Sequence, residues 1–354
     1  MKNFFLISTG GSGGHVIPAI ILHEHLSKVA DIIISTDKRG LRYIDKDNYN
    51  YEIIDTPRLN NIFFLPFNFF LVLFLTFRSL LLLKRKKILK VFSIGGYMSL
   101  PLILASKLLS IKIYLIEPNK VLGRANKFFL NFCSKIFCYN DEVINFPINS
   151  KNKIIKIDPL VKEHIYKLDT SHKQKKKFTI LVVGGSQGAY IFDRNLKNII
   201  INISKNTPIK IIQQTSNDNA PLLREFYSKN NIENEIFSFK KNFEIIVQQA
   251  DLCISRGGAS TLAELSILKV PFIVVPLPSA KDNHQYENAR FYKSKGCCWI
   301  IEQDNFDVQI EDVLKSIINS NDVLFKKKQN LIKLNEKNNW NNVNKKILEN
   351  IDEN

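Results

Sequence analysis

Two glycine-rich turns are the residues of this chain best suited to chemistry. The first spans residues 10–15 (GGSGGH) and the second spans residues 184–189 (GGSQGA). Each follows a short apolar run and precedes a helical pattern, and the N-terminus of a helix behind a glycine turn favours a bound anion. The hydroxyls of Ser12 and Ser186 would add hydrogen-bond donors. The two turns therefore predict a phosphate-bearing ligand held between two similar domains.

Strands that would carry these turns alternate with helices along the chain. The predicted strands of the first half are 4–9, 31–36, 88–94 and 112–116. Those of the second half are 178–183, 209–214, 235–239, 251–255 and 271–275, with a helix at 260–268. Buried parallel strands read as uncharged, β-rich runs of this kind. We therefore predict an α/β fold of two Rossmann-like, doubly wound domains that face each other across a cleft and bind ligands at the carboxyl ends of their strands.

Composition supports two domains in a reducing compartment. The chain has 354 residues, five cysteines without zinc-ligand spacing, and a net charge of +17. The charge reflects either an anionic partner or biased composition, and nucleic acid is disfavoured because no recognition motif accompanies it. Residues 4–7 are too short for the apolar core of a signal peptide, so no export signal is expected.

The most hydrophobic segment suggests a membrane surface. Residues 59–77 carry no charge, Arg78 follows, and residues 84–87 read KRKK. The length would allow a membrane-spanning helix, which takes about 20 apolar residues, but a span here would break the first sheet. A buried core helix remains an alternative. We favour a partly exposed apolar surface that docks on an anionic membrane.

The residues in and after the two turns disfavour two kinds of nucleotide-binding site. Neither turn completes the G-x-G-x-x-G of a nicotinamide-dinucleotide site, although Asp37 at the end of the second predicted strand could hold a ribose. Neither turn is followed by the Gly-Lys-Ser/Thr of a P-loop.

Several blocks together resemble the MurG-type glycosyltransferases. The two turns are joined by Gly95-Gly96-Tyr97, by Glu117 with Asn119, by residues 255–264 (SRGGASTLAE) and by residues 281–289 (KDNHQYENA). This family transfers N-acetylglucosamine from its UDP ester to lipid I, the lipid-linked muramyl pentapeptide. The resemblance implies a GT-B architecture, a donor-binding C-terminal domain, and an N-terminal domain that receives lipid I at the cytoplasmic face of the inner membrane as a peripheral protein.

Domain boundaries follow from this resemblance and from the composition. We expect an acceptor- and membrane-docking domain at 1–162, a linker at 163–177, a UDP-sugar-binding domain at 178–322, and a helical tail at 323–354 that packs back on the first domain.

The implied reaction inverts a sugar carbon and needs a base and an anion stabiliser. His15 is the expected base because imidazole titrates near operating pH; its alternative role is a cap or a phosphate donor. Glu117 is the rival base, and its alternative is a carboxylate that touches no substrate. Backbone N–H groups and hydroxyls of the turns would stabilise the departing diphosphate, so neither a metal nor a cofactor is expected.

Further substrate-binding residues carry over from the family pattern. Ser186 is expected near the phosphates, Glu264 on the ribose hydroxyls, and Gln285 on the sugar. The whole expected set is Ser12, Gly13, Gly14, Asn119, Ser186, Ala259, Ser260, Thr261, Glu264 and Gln285.

Three departures from the family pattern leave alternatives open. Ile116 and Pro118 replace a family histidine and glutamine, and Val161 stands where the family has a phosphate-contacting arginine, with Lys162 one position later. These changes predict weaker donor binding. The alternatives are a GT-B transferase acting on another lipid such as diacylglycerol, a membrane-binding relative that has lost catalysis, and, last, a nicotinamide oxidoreductase.

Overall fold

A computed structural model describes residues 3–57, 65–168, 176–185, 190–240 and 242–352. The chain divides into two compact units, of which the first comprises Met1–Lys162 with Trp340–Asn354 and the second comprises Glu163–Asn339. Each unit is built around its own parallel sheet, which confirms the predicted two-domain α/β class.

The first sheet has seven strands among the described residues, in the order β3-β2-β1-β4-β5-β6-β7. They are β1 (Phe4–Ser8), β2 (Asp31–Thr36), β3 (Tyr51–Ile53), β4 (Ile88–Ser93), β5 (Lys112–Glu117), β6 (Lys135–Cys138) and β7 (Ile154–Lys156). The intervening helices are α1 (Gly13–Leu26), α2 (Leu65–Arg85), α3 (Leu100–Leu108) and α4 (Arg124–Phe129). Strand order reverses its direction of growth between β1 and β4, which makes their carboxyl ends the expected ligand position.

The second sheet has six described strands, in the order β10-β9-β8-β11-β12-β13. They are β8 (Phe178–Val183), β9 (Ile209–Gln214), β10 (Glu233–Phe237), β11 (Leu252–Ser255), β12 (Phe272–Val274) and β13 (Cys298–Ile300). The helices of the chain from here onward are α5 (Tyr190–Ser204), α6 (Ala220–Lys229), α7 (Phe243–Val247), α8 (Ala259–Ile267), α9 (His284–Ser294), α10 (Phe306–Asn319), α11 (Asn321–Leu334) and α12 (Trp340–Asp352). The strand order of this second sheet reverses its direction of growth between β8 and β11.

Aliphatic runs explain why both sheets form where predicted. Leu6, Ile7 and Ile34 are fully buried in the first sheet, as are Leu181 and Val182 in the second. Strands covered on both faces need apolar residues at every position rather than in alternation.

The observed strand bounds differ most from the sequence prediction at β10, and several short strands were not predicted. A strand was expected at 235–239, but β10 ends at Phe237, and Phe239 is 70% exposed. Parallel pairing with β9 from Glu233 to Phe237 sets this register. Strands β3, β7 and β13 have three residues each, too few to show a period in the sequence.

The last two helices lie in different units. Helix α11 belongs to the second unit, whereas α12 belongs to the first. The Trp340 ring of α12 stacks on His25 with 3.6 Å between centroids, and Ile347 is fully buried. At the far end the Ile351 carbonyl accepts hydrogen bonds from Lys90 Nζ at 2.6 Å and from the Tyr114 hydroxyl at 3.1 Å. These donors satisfy one of the carbonyls that the end of a helix leaves without an intrahelical partner.

Candidate functional site

The first glycine turn lies at the reversal point of the first sheet. Strand register pairs Ser8 of β1 with Ser93 of β4, so the turn after β1 runs beside Gly95 and Gly96. Those two glycines have φ values of +89° and +82°, in the left-handed region. Glycine is needed there because other residues are strained at such angles.

A buried carboxylate holds this turn in place. Asp37, only 1% exposed, accepts hydrogen bonds from the N–H of Gly11 at 2.8 Å and of Gly40 at 2.9 Å. Burial alone would raise the pKa of Asp37, but these N–H groups and the Arg39 guanidinium stabilise the carboxylate and lower its pKa. Because the Asp37 carboxylate is already engaged, it does not serve a ribose, which argues against the nicotinamide interpretation.

His15 lies in the first turn of α1 and is oriented by a backbone carbonyl. Its Nδ1 lies 3.1 Å from the Ile94 oxygen. A carbonyl only accepts hydrogen bonds, so Nδ1 carries the proton and the neutral ring has its lone pair on Nε2. This is the tautomer that a general base requires. Ser12, which precedes the helix, makes no side-chain capping bond to it.

Glu117 is surrounded by donors. The side chain is 2% exposed, and its Oε1 accepts from the Asn119 N–H and from Asn119 Nδ2, both at 3.1 Å. Its Oε2 accepts from the Gly123 N–H at 2.8 Å and from Asn126 Nδ2 at 3.0 Å. These four hydrogen bonds tie the carboxylate to the loop that carries Asn119.

The second glycine turn follows β8 at the reversal point of the second sheet. Val183 of β8 pairs with Ser255 of β11, which brings residues 184–185 beside the start of the 256–258 loop. Ser186, expected near the phosphates, lies outside the described residues, as do residues 187–189.

Two amide side chains of α9 form hydrogen bonds to the glycine loop that precedes α8. Gln285 Oε1 accepts from the N–H of Gly257 at 3.1 Å and of Leu277 at 3.0 Å. Asn288 Nδ2 donates to the Gly257 carbonyl at 3.0 Å. With Oε1 facing two backbone donors, the orientation of the Gln285 amide is fixed, and its Nε2 hydrogens are the ones that could reach a sugar.

This orientation predicts the effect of Gln285→Glu. The carboxylate would still accept from both backbone N–H groups but could not donate, so affinity for UDP-N-acetylglucosamine should fall about tenfold more than affinity for UDP. Titration calorimetry with both nucleotides measures the ratio. Asn283→Asp, the same change on an exposed amide of the same segment, should leave the ratio unchanged. Equal losses for the two nucleotides would contradict a sugar contact.

Helix α8 presents the remaining expected donor residues. Ala259, Ser260 and Thr261 form its first turn, and Glu264 follows one turn later; all four are half-buried. A helix N-terminus favours an anion, and a carboxylate one turn on can accept from vicinal hydroxyls. The spacing therefore suits a nucleotide with its phosphate end at the first turn.

Val161 cannot replace the arginine that the family pattern has at its position. It is fully buried in the first unit, whereas its neighbour Lys162 is half-buried. The expectation of weaker donor binding stays a prediction.

The sequence did not predict the roles of two arginines that lie near the glycine turns. Arg39 Nε and Nη2 donate to Asp37 Oδ2 at 2.8 and 2.6 Å. Arg256 Nη1 donates to the carbonyls of Val275 and Pro276, and its Nη2 donates to Gln303. An arginine directly after a strand at a reversal point, as Arg256 is, was an available signal; the role of Arg39 depends on contacts distant in sequence.

Helix α2 buries some of its large apolar side chains, such as Leu75 and Leu83, and exposes others. Its exposed members, 48–68% accessible, are Phe67, Phe69, Phe70, Leu73, Phe74, Phe77 and Leu81, here called the aromatic surface. The buried face includes Thr76 and Ser79, whose hydroxyls donate to carbonyls of the helix itself at 2.8 Å. Residues 84–87, all basic, are exposed at its end. Among the described residues Pro66–Arg85 is long and apolar enough to cross a membrane by length and composition, and 39% of its most apolar window is buried.

Models of two protein domains match the chain. The glycosyltransferase family 28 N-terminal domain matches residues 5–138, and the glycosyltransferase family 28 C-terminal domain matches residues 179–343. Together these matches span most of both units.

Named relatives match over the whole length of the chain or nearly so. A Pelagibacter ubique protein named UDP-N-acetylglucosamine--N-acetylmuramyl-(pentapeptide) pyrophosphoryl-undecaprenol N-acetylglucosamine transferase is 44% identical over 356 residues, covering 100% of both chains. A Rickettsia felis protein of the same name is 35% identical over 353 residues, covering 94% of this chain and 95% of the relative. Among solved structures, Acinetobacter baumannii MurG superposes with a TM-score of 0.77 at 22% identity, with 99% of each chain covered. That structural likeness shows a shared fold.

Proposed function

This chain belongs to glycosyltransferase family 28, and from that membership we propose that it transfers N-acetylglucosamine from UDP-N-acetylglucosamine to the 4-hydroxyl of the muramyl unit of lipid I, giving lipid II for peptidoglycan synthesis. The full-length relatives carry the name of this reaction. The structural observation that carries the proposal is His15, whose Nδ1 bond to Ile94 leaves the lone pair on Nε2.

The proposed reaction forms one bond, breaks one bond and moves one proton. The muramyl 4-hydroxyl oxygen attacks C1 of N-acetylglucosamine, its proton passes to His15 Nε2, and the bond from C1 to the diphosphate oxygen breaks with inversion. UDP departs with the electron pair. Residues of the second unit bind the donor: Ser186 and the first turn of α8, from Ala259 through Ser260 to Thr261, at the diphosphate, Glu264 at the ribose, and Gln285 at the sugar.

We assign Glu117 a positioning role rather than that of the base. Both of its carboxylate oxygens already accept two hydrogen bonds each from N–H groups of the first unit. Glu117 thereby orients Asn119 toward the acceptor, and Ser12, Gly13 and Gly14 complete the acceptor site of the first unit.

The aromatic surface is proposed to dock on an anionic membrane, at the cytoplasmic face of the inner membrane. The uncharged polar side chains Asn68, Thr76 and Ser79 of α2 are buried while its phenylalanines are exposed, and exposed phenylalanines are not expected of a helix that faces only water. Patches of this kind mark membrane or protein contacts, and a basic segment adds about 1 kcal/mol per residue near anionic lipid.

Removing this apolar area should release the protein from membranes. Phe70→Ser, Phe74→Ser and Phe77→Ser together should weaken binding to vesicles of anionic phospholipid about 100-fold or more, because about 0.8 kcal/mol is lost per buried CH₂ equivalent. Co-sedimentation measures the binding. Phe325→Ser, at a 61% exposed phenylalanine of the second unit, is the control. Unchanged sedimentation of the triple variant would refute the docking surface.

Acceptor identity is tested by competition. Labelled UDP-N-acetylglucosamine is incubated with the purified chain and equal amounts of a short-chain lipid I analogue and diacylglycerol. Label on the lipid I analogue supports the proposal, and label on diacylglycerol alone would replace it with the alternative acceptor.

A further inference from the structure

A cation is fixed at the edge of the first glycine turn. Arg39 and Asp37 form a close pair, with Nη2 and Oδ2 2.6 Å apart, but the two side chains differ sharply in accessibility. The Arg39 side chain is 39% exposed, and that of Asp37 is 1% exposed. The pair therefore presents its positive end to solvent and keeps its negative end inside.

The carboxylate of this pair is fully engaged. Besides Arg39 it accepts from the N–H groups of Gly11 and Gly40. Two backbone donors and a guanidinium compensate the negative charge of Asp37, so the exposed guanidinium of Arg39 keeps attraction for a second anion.

The Tyr97 hydroxyl is a second acceptor for the Arg39 guanidinium. Arg39 Nη2 donates to the Tyr97 hydroxyl at 2.5 Å, and the guanidinium carbon lies 5.5 Å from the Tyr97 ring centre. Tyr97 directly follows Gly95 and Gly96. Arg39 thus links Asp37, which holds the first glycine turn, to the residue after this glycine pair, and a Cβ placed on Gly11 would lie 3.7 Å from Arg39 Nη2.

This arrangement changes how the turn can bind an anion. The Gly11 N–H already donates to Asp37, so the positive charge at this position comes from Arg39 instead. An immobilised guanidinium loses little side-chain freedom when it binds. Since Nε donates to Asp37 and Nη2 donates to Asp37 and Tyr97, the two N–H groups of Nη1 are the donors for phosphate oxygens.

We propose that Arg39, held by Asp37 and Tyr97, binds the diphosphate of the lipid acceptor. The assignment rests on the proposed function for the identity of that diphosphate. His15 lies on the same turn, so the contact would place the muramyl sugar next to the base. The side chain of the neighbouring Lys38 is 77% exposed, and its Nζ lies 3.7 Å from Asp55 Oδ2 rather than beside Asp37.

The experiment measures equilibrium binding of a short-chain lipid I analogue without donor and without vesicles. Arg39→Ala should weaken this binding about tenfold or more, and Arg39→Lys should lie between it and the wild type, because a charge-assisted hydrogen bond is lost or made less well. Lys38→Ala, the same charge change one residue earlier, should bind as the wild type does. Affinity for UDP should stay within about twofold in every variant, because the donor residues lie in the second unit.

A double variant separates binding from structural support. If Arg39 served only to neutralise Asp37, then Asp37→Asn combined with Arg39→Ala would restore wild-type acceptor binding, and the proposal would be wrong. If Arg39 contacts the diphosphate, the double variant stays weakened. The double variant and Arg39→Lys also decide the matter should Arg39→Ala fold poorly with its buried carboxylate unpaired.

Other outcomes overturn the assignment distinctly. Equal acceptor binding by wild type and Arg39→Ala, with weaker binding only to anionic vesicles, would assign Arg39 to lipid headgroups. Failure of the wild type to bind the analogue would also overturn it. Intact binding that depends on Arg39, without any sugar transfer, would contradict the proposed function and leave the diphosphate contact standing.

Discussion

Replacing His15 with asparagine should reduce kcat for sugar transfer by about 1,000-fold, within the 100- to 10,000-fold that general bases contribute. The asparagine amide can occupy the place of Nδ1 and keep the hydrogen bond to the Ile94 carbonyl, which lies 3.1 Å from that nitrogen. It has no lone pair that can accept the hydroxyl proton at the position of Nε2. The change therefore removes the base while preserving its anchor to the Ile94 carbonyl, one residue after β4.

Two measurements distinguish loss of the base from loss of structure. Binding of UDP and of the lipid I analogue should remain within about twofold of the wild type, since neither contact depends on proton transfer. His284→Asn is the matched control, because His284 is a half-buried histidine of the second unit bonded to the Lys281 carbonyl at 2.8 Å. A His15→Asn enzyme with near-normal kcat would show that another group accepts the proton.

Gly257→Ala should disrupt the donor site by steric overlap. A Cβ on Gly257 would collide with the backbone oxygen of Gln285 and lie 2.8 Å from its carbonyl carbon. Backbone atoms of α9 cannot move aside as a flexible side chain can, so we expect a loss of about 3 kcal/mol in the free energy of unfolding. The shift also separates Gln285 and Asn288 from the loop that they hold, so affinity for UDP-N-acetylglucosamine should fall at least tenfold.

The neighbouring glycine provides a control for this prediction. A Cβ on Gly258 would have Thr261 Oγ1 as its nearest atom, at 3.9 Å, which is ordinary contact. Gly258→Ala should therefore cost about 1 kcal/mol or less, the loss of a glycine cap before α8. Urea unfolding and nucleotide titration of both variants measure the difference. Similar values for the two would show that the Gly257 loop relaxes and that the close approach is not required.

Sequence patterns predicted features that depend on neighbouring residues. Uncharged aliphatic runs located the long strands, and the two glycine turns marked the reversal points of both sheets. The ordered blocks also indicated the family, which the domain matches confirm. In each case the signal lies within a few residues of the feature.

Features that depend on long-range contacts were not predictable. The Arg39 contact with Tyr97 joins residues 58 positions apart, and it exists because β1 lies between β2 and β4. The orientation of the Gln285 amide needs two backbone donors from different loops. The four donors around Glu117 likewise come together only when the loop of residues 119–126 folds around it.

The aromatic surface shows a different limit. Residues 59–77 are almost uniformly apolar, so hydrophobic periodicity does not say which face is buried. The structure buries small polar residues such as Thr76 and Ser79 and exposes phenylalanines. Helix α2 packs against α3, and the side chains at a helix contact set how closely two helices approach.

Sugar transfer by the purified chain tests the central claim most directly. Wild type and His15→Asn are incubated with labelled UDP-N-acetylglucosamine and a short-chain lipid I analogue, and the anomeric configuration of the product is read by NMR. We predict one β-linked disaccharide product at the muramyl 4-hydroxyl from the wild type, and almost none from the variant despite normal UDP binding. A product with retained configuration, or equal transfer by both proteins, would contradict the account.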